Sequence, residues 1–280
     1  MFYTITYKIR KCGAERKFSE IINILNRELT KFNTYIRPFK FVGIQEHEED
    51  YTISLLLNRE LLGLKPFNPL ENVSVNKQDK QELIRELKTV AEVLEGLMNA
   101  ILKLYGFPQV KVLEHTGSVS IPGTGFFTSS ILDCTEQKEL KKIGEKLLKL
   151  TDILPEKSKE ALALFMTFYG LADITCEEGA VLQLGKCCEV LIRFNNELPS
   201  EIRNEIKHEI GIVTDINKKL NNFQAFFLFA RHSNYLRSEK SENYQLLSRP
   251  EIREKIKEFS EKLAEVTYEI FRKLSAVQEK

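Results

Sequence analysis

Arg231 is followed by His232, Ser233, Asn234 and Tyr235, and no further histidine occurs between His232 and Lys280. Adjacent side chains on a helix diverge by about 100°, so Arg231 and His232 do not face one substrate together. Residues three and four apart do share a side. Arg231, Asn234, Tyr235 and Ser238 form such a row, and with Arg237 they carry the donors to hold a phosphate or a carboxylate. The structural alternative is that Arg231 pairs with an acidic residue inside a bundle while Asn234 caps or satisfies backbone.

Other chemistry-bearing residues read as architecture. Arg203 and His208 give an R-x4-H spacing, but the two fall on different sides of a charged helix. The run Pro122-Gly-Thr-Gly-Phe-Phe-Thr128 has no following lysine and lacks a third glycine. It lies between strand-like segments, so a tight strand connection fits it better than a phosphate loop. His47 sits in the acidic stretch 46–50, where consecutive residues cannot all converge on one ion; a solvated hairpin tip is the better reading. His115 and Asp133 are isolated polar residues near strand ends with no assignable role. The five cysteines, Cys12, Cys134, Cys176, Cys187 and Cys188, include no CxxC pair. Zinc sites and disulfide scaffolds need closer spacing, so neither a metal nor a cofactor is expected. Cys187 and Cys188 fall on an apolar helix face, where a thiol behaves as a small hydrophobe.

The elements that position these residues follow from periodicity. Tyr3, Ile5, Tyr7 and Ile9 alternate with polar neighbours, the period of a half-buried strand. A helix follows with Phe18, Ile21, Ile22, Leu25 and Leu29 on one face. Strands are expected over Tyr35–Ile44 and Tyr51–Leu57, a long helix over Asp79–Tyr105, and strands over Val110–Ile121 and Phe126–Leu132. From Thr135 onward the pattern is helical throughout: Glu139–Leu150, Glu156–Leu171, Glu178–Phe194, Ser200–Leu220, Phe223–Ser238 and Pro250–Leu274. Pro155 and Pro250 stand where helix starts accept proline, and Ser200 is an N-cap candidate after Pro199. The fold class is α+β, a small N-terminal mixed α/β domain (residues 1–133) followed by an all-α helical bundle (134–280).

Two helices stand out. Apolar residues cover nearly the whole circumference of Phe223–Ala230, which makes that helix central. Ile252, Ile256, Phe259, Leu263, Val266 and Ile270 recur at spacings of four and three, a narrow seam for one partner helix. With both surfaces in one domain, a homodimer through the C-terminal half is expected, burying more than ~1,000 Å².

Composition narrows the function classes. Of 280 residues, 42% are hydrophobic and 29% charged, which suits a globular chain and not a disordered one. The 41 basic and 40 acidic side chains nearly cancel, so any RNA contact must rest on a local patch. No apolar run approaches the ~20 residues of a membrane span, and a cytoplasmic location is expected.

Three segments, Ala161–Leu171, Val181–Ile192 and Phe226–Arg237, together resemble the HEPN superfamily in its Apea-like flavour. Cys188-Glu189-Val190-Leu191 matches the family's "E-L" element, and Phe229-Ala230-Arg231-His232 its arginine with a polar follower. The resemblance covers Thr135–Leu274. It implies a helical domain, commonly dimeric, in which an arginine and a downstream histidine cleave RNA without metal. There the histidine would move the proton of the attacking 2′-hydroxyl, and the arginine would hold the developing phosphorane charge. Here the expected histidine site holds Leu236, Arg237 and Ser238, none of which exchanges protons as histidine does. The resemblance therefore implies a catalytically inactive binding or interaction module for RNA, a nucleotide or a protein, in a prokaryotic defence or toxin–antitoxin setting. Two alternatives stay open. One is an active ribonuclease with His208 or His232 supplied from elsewhere; the other is an unrelated two-domain protein whose bundle patterning converges on the family.

Overall fold

The computed structural model describes residues 2–10, 15–33, 39–46, 50–58, 77–105, 111–112, 124–128, 138–172, 177–231 and 249–278, with side chains at 20–33, 40–44, 85, 89–90, 92–105, 142–172, 177–224 and 251–276. They divide into two compact units, Met1–Lys103 with Phe107–Thr135, and Leu104–Gly106 with Glu136–Lys280.

The first unit carries β1 (Phe2–Arg10), α1 (Glu15–Leu29), a short 3-10 turn (Thr30–Phe32), β2 (Phe39–Glu46), β3 (Asp50–Asn58), α2 (Lys77–Leu104) as far as Lys103, β4 (Lys111–Val112) and β5 (Thr124–Thr128). The strands order as β2-β3-β1-β5-β4. β1 pairs antiparallel with β3, so that Tyr3, Ile5, Tyr7 and Ile9 stand opposite Leu57, Leu55, Ile53 and Tyr51. β5 runs parallel to β1, with Gly125 opposite Tyr7. Thr124 and Gly125 thus belong to a strand and not to a connection. Local turn propensity loses there to backbone pairing with a strand more than a hundred residues away.

β2 is a sheet edge, and α1 covers it. Asn26 donates through Nδ2 to the Ile44 carbonyl at 3.0 Å and accepts the Ile44 N–H through Oδ1 at 2.6 Å. Asn33 accepts the Phe41 N–H at 2.7 Å. These amides satisfy groups that an open edge would offer to another strand. Between Phe41 and Gly43 the register shifts, and Val42 in the gap is 51% exposed. On α1, Ile21, Ile22, Leu25 and Leu29 are buried at the spacing that periodicity demands.

The second unit is a helical bundle of α3 (Lys138–Leu150), α4 (Glu156–Leu171), α5 (Glu177–Glu197), α6 (Ser200–Glu205), α7 (Lys207–Arg231) and α8 (Arg249–Gln278). α5 packs between α4 and α7, while α8 packs on α3, α5, α6 and α7. Phe165, Met166 and Tyr169 of α4, Leu184, Cys187, Cys188 and Leu191 of α5, and Leu263, Ile270 and Phe271 of α8 form its core. Burying each large side chain contributes roughly 1.5–3 kcal/mol. Tyr169 resolves its polar end by donating to the Ser260 carbonyl at 3.2 Å. Gly144 of α3 lies against the Leu104 backbone; an added Cβ would sit 2.5 Å from the carbonyl oxygen.

Three expectations change. The sequence pattern divides Ser200–Leu220 from Phe223–Ser238 near Asn221. The break instead falls at Ile206 (φ −108°, ψ 8°), and α7 runs unbroken to Arg231. Ile206 is fully buried, so core packing holds the break where the sequence shows no glycine or proline. Second, the α8 seam is not narrow: Ser260, Ala264, Thr267, Phe271 and Leu274 are buried beside it. α8 serves several neighbours within its own bundle. Third, Pro199 holds the cap position of α6 without a side-chain cap, while Ser200 donates to the Glu201 carboxylate at 2.9 Å.

Candidate functional site

α7 carries the candidate arginine. Val213, Ile216, Leu220 and Phe223 recur at three- and four-residue spacing and are all buried, which anchors α7 on α5 and α8 along one stripe. The last described residue of that helix is Arg231. Of Arg231 only the backbone is described; His232, Asn234, Tyr235, Arg237 and Ser238 lie outside the described residues, as do His47, His115, Asp133, Pro122 and Gly123.

His208 is described, exposed, in the first turn of α7. Twenty-three residues of continuous helix separate it from Arg231, about 34 Å at 1.5 Å per residue. Within one chain the two cannot share a substrate group, and only a second subunit could bring such a histidine to Arg231. Arg203 lies on α6 and His208 on α7, so the R-x4-H spacing straddles the Ile206 break.

The second segment of the resemblance is α5. Cys187 and Cys188 are fully buried, and the Cys187 thiol donates to the Phe165 carbonyl at 3.5 Å. Burial, followed by the charge of Glu189, pushes the Cys188 thiol up to about 12, against a smaller lowering by its own backbone hydrogen bond. A thiol in that state is neither nucleophile nor metal ligand. Glu189 is exposed and Leu191 buried, so the "E-L" element spans one outer and one inner position. Among the described residues no group of three histidine, cysteine or acidic side chains could hold a metal ion. Among them too, no helix is long and apolar enough to cross a membrane.

Two features are not evident from the sequence. At the α6–α7 break, Lys273 of α8 donates to both Glu209 carboxylate oxygens, at 3.1 and 3.0 Å, and to the Glu205 carbonyl at 3.0 Å. Between α7 and α8 lies a cleft of about 230 Å³ lined by Lys219, Asn222, Phe223, Lys255, Glu258 and Phe259. The recurring pattern K-x2-N-F at Lys219 and K-x2-E-F at Lys255 is the signal the sequence offers for it. Only packing shows that the two patterns face each other.

Comparison with known proteins returns no match of this chain to a family model, a curated protein or a solved structure.

Proposed function

We propose that the helical unit is a HEPN-like module that binds RNA without cleaving it, with Arg231, Asn234, Tyr235, Arg237 and Ser238 gripping a phosphate. The observation that supports it is the run of α7 to Arg231, with His208 the full length of the helix away. An arginine without a proton shuttle holds an anion well and turns it over poorly. The three helices that bear the resemblance also pack in succession, α4 on α5 and α5 on α7.

In this reading residues 1–133 form a small α+β domain with a separate role, and the setting is prokaryotic defence or a toxin–antitoxin pair. A homodimer forms through the apolar end of α7, since α8 already buries Ile252, Phe259, Leu263, Val266 and Ile270 of its seam inside the bundle. The test is incubation of the full chain with labelled structured and single-stranded RNA. Binding without cleavage, lost in Arg231→Ala, is the expected result. Metal-independent cleavage that disappears in Arg231→Ala would overturn it, and would point to a histidine from a second subunit.

A further inference from the structure

The α7–α8 cleft places two cations, an amide and one carboxylate over an aromatic floor. Phe223 and Phe259 meet edge to face, ring centroids 6.1 Å apart, and both are buried. Lys219 and Asn222 stand on the α7 wall, one turn apart, and Lys255 and Glu258 on the α8 wall. Lys255 donates to Glu258 at 2.7 Å. The Glu258 carboxyl is held below its ordinary range by that hydrogen bond and charge, and also by the charge of Lys219. Both ammonium groups therefore act on one anion.

We propose that this cleft is a site for a phosphate monoester, with Lys219 and Lys255 as its cations, Asn222 as amide donor, and Glu258 as an internal anion that the phosphate displaces. Charge decides the ligand class. Glu258 sets one negative charge against the two lysines of the cleft lining, leaving one positive charge over. A second carboxylate offers nothing that Glu258 does not, whereas a phosphate monoester carries close to two charges at neutral pH and matches both lysines. Displacement costs little, because Lys255 and Glu258 are 50% and 61% exposed and such pairs are weak. The volume, about 230 Å³, is below the ~300–1,000 Å³ of whole-ligand pockets. It suits a terminal phosphate with the edge of its sugar, the remainder lying in solvent. Lys219 is twelve residues from Arg231 on the same helix, about 18 Å, so the site is separate from the arginine and does not depend on its role.

The experiment titrates the full chain with inorganic phosphate, and with short single-stranded RNA bearing either a 5′-phosphate or a 5′-hydroxyl, following backbone amide shifts of α7 and α8. Saturable shifts at Lys219–Phe223 and Lys255–Phe259 are expected with inorganic phosphate and with 5′-phosphorylated RNA. Lys219→Ala and Lys255→Ala should each weaken that binding about two- to fivefold, the loss expected for an exposed charge pair. Lys255→Arg should retain it, and Glu258→Gln should tighten it. Shifts from both identify a phosphorylated terminus as the ligand; shifts from inorganic phosphate alone, with 5′-phosphorylated RNA silent, overturn the monoester assignment. Equal binding of 5′-hydroxyl RNA, indifference to both lysine changes, or weakening by Glu258→Gln overturns the proposal. Arg231→Ala separates the two sites. If it abolishes RNA binding while phosphate never shifts the cleft, the cleft proposal fails and the arginine site stands. If phosphate shifts the cleft while Arg231→Ala leaves RNA binding intact, the cleft stands and the arginine site fails.

Discussion

Lys273 and Glu209 lock the α6–α7 break: the ammonium of α8 spans both carboxylate oxygens in the first turn of α7 and the Glu205 carbonyl at the end of α6. A cation at one helix end and an acid at the next helix start both complement the backbone dipoles. Burial by itself would push the Glu209 carboxyl up. The Lys273 hydrogen bond, the backbone N–H and the charges of Lys273 and His208 outweigh it and hold the carboxyl below its ordinary range. A carboxylate lowered in the folded state stabilises above its unfolded value, and that contribution disappears as pH falls through the folded value. Lys273→Met should therefore cost roughly 1.5–3 kcal/mol at neutral pH and flatten the acid loss of stability. Urea unfolding from neutral to acid pH compares the two; parallel curves would exclude the lock.

Asn26 holds the sheet edge through two hydrogen bonds to one residue. Asn26→Leu leaves the Ile44 N–H and carbonyl without that partner and should cost about 1–3 kcal/mol per lost group. The Ile44 amide should then exchange its hydrogen far faster than in the parent protein. Unchanged exchange at Ile44 would show that the clamp does not operate in solution.

Two glycines predict opposite signs. A Cβ at Gly144 meets the Leu104 backbone, so Gly144→Ala should destabilise by about 1–3 kcal/mol. Nothing lies within 4 Å of a Cβ at Gly211, inside α7. Gly211→Ala should stabilise by about 0.4–1 kcal/mol by restricting the unfolded chain. Thermal unfolding of both variants reads the signs directly.

Cys187 and Cys188 should resist alkylation in the folded protein, since both are fully buried and the thiolate of Cys188 forms only far above neutrality. Peptide-resolved mass spectrometry across a urea series should show their labelling rising with global unfolding. Labelling in native buffer would mean that α5 opens locally.

The helices separate most clearly what is local from what is not. The stripe on α1 and the boundaries of α4 are legible in the sequence because a helix must bury one face at a period near 3.6, and that period is local information. The α6–α7 break is not legible. Asn221 and Asn222 look like a divide, but Phe223 and Leu220 continue one buried stripe across them, and burial outweighs a weak propensity. Ile206, an ordinary helix residue by propensity, breaks the helix because it packs into the core and Lys273, sixty-seven positions on, satisfies the Glu205 carbonyl. The width of the α8 face follows the same logic, since Thr267 and Ser260 read as polar until the rest of the bundle covers them. The row at Arg231 comes from the residues themselves. The facing of Lys219 and Lys255 comes only from tertiary packing, because charge distributed over two helices becomes a site when their axes bring it together.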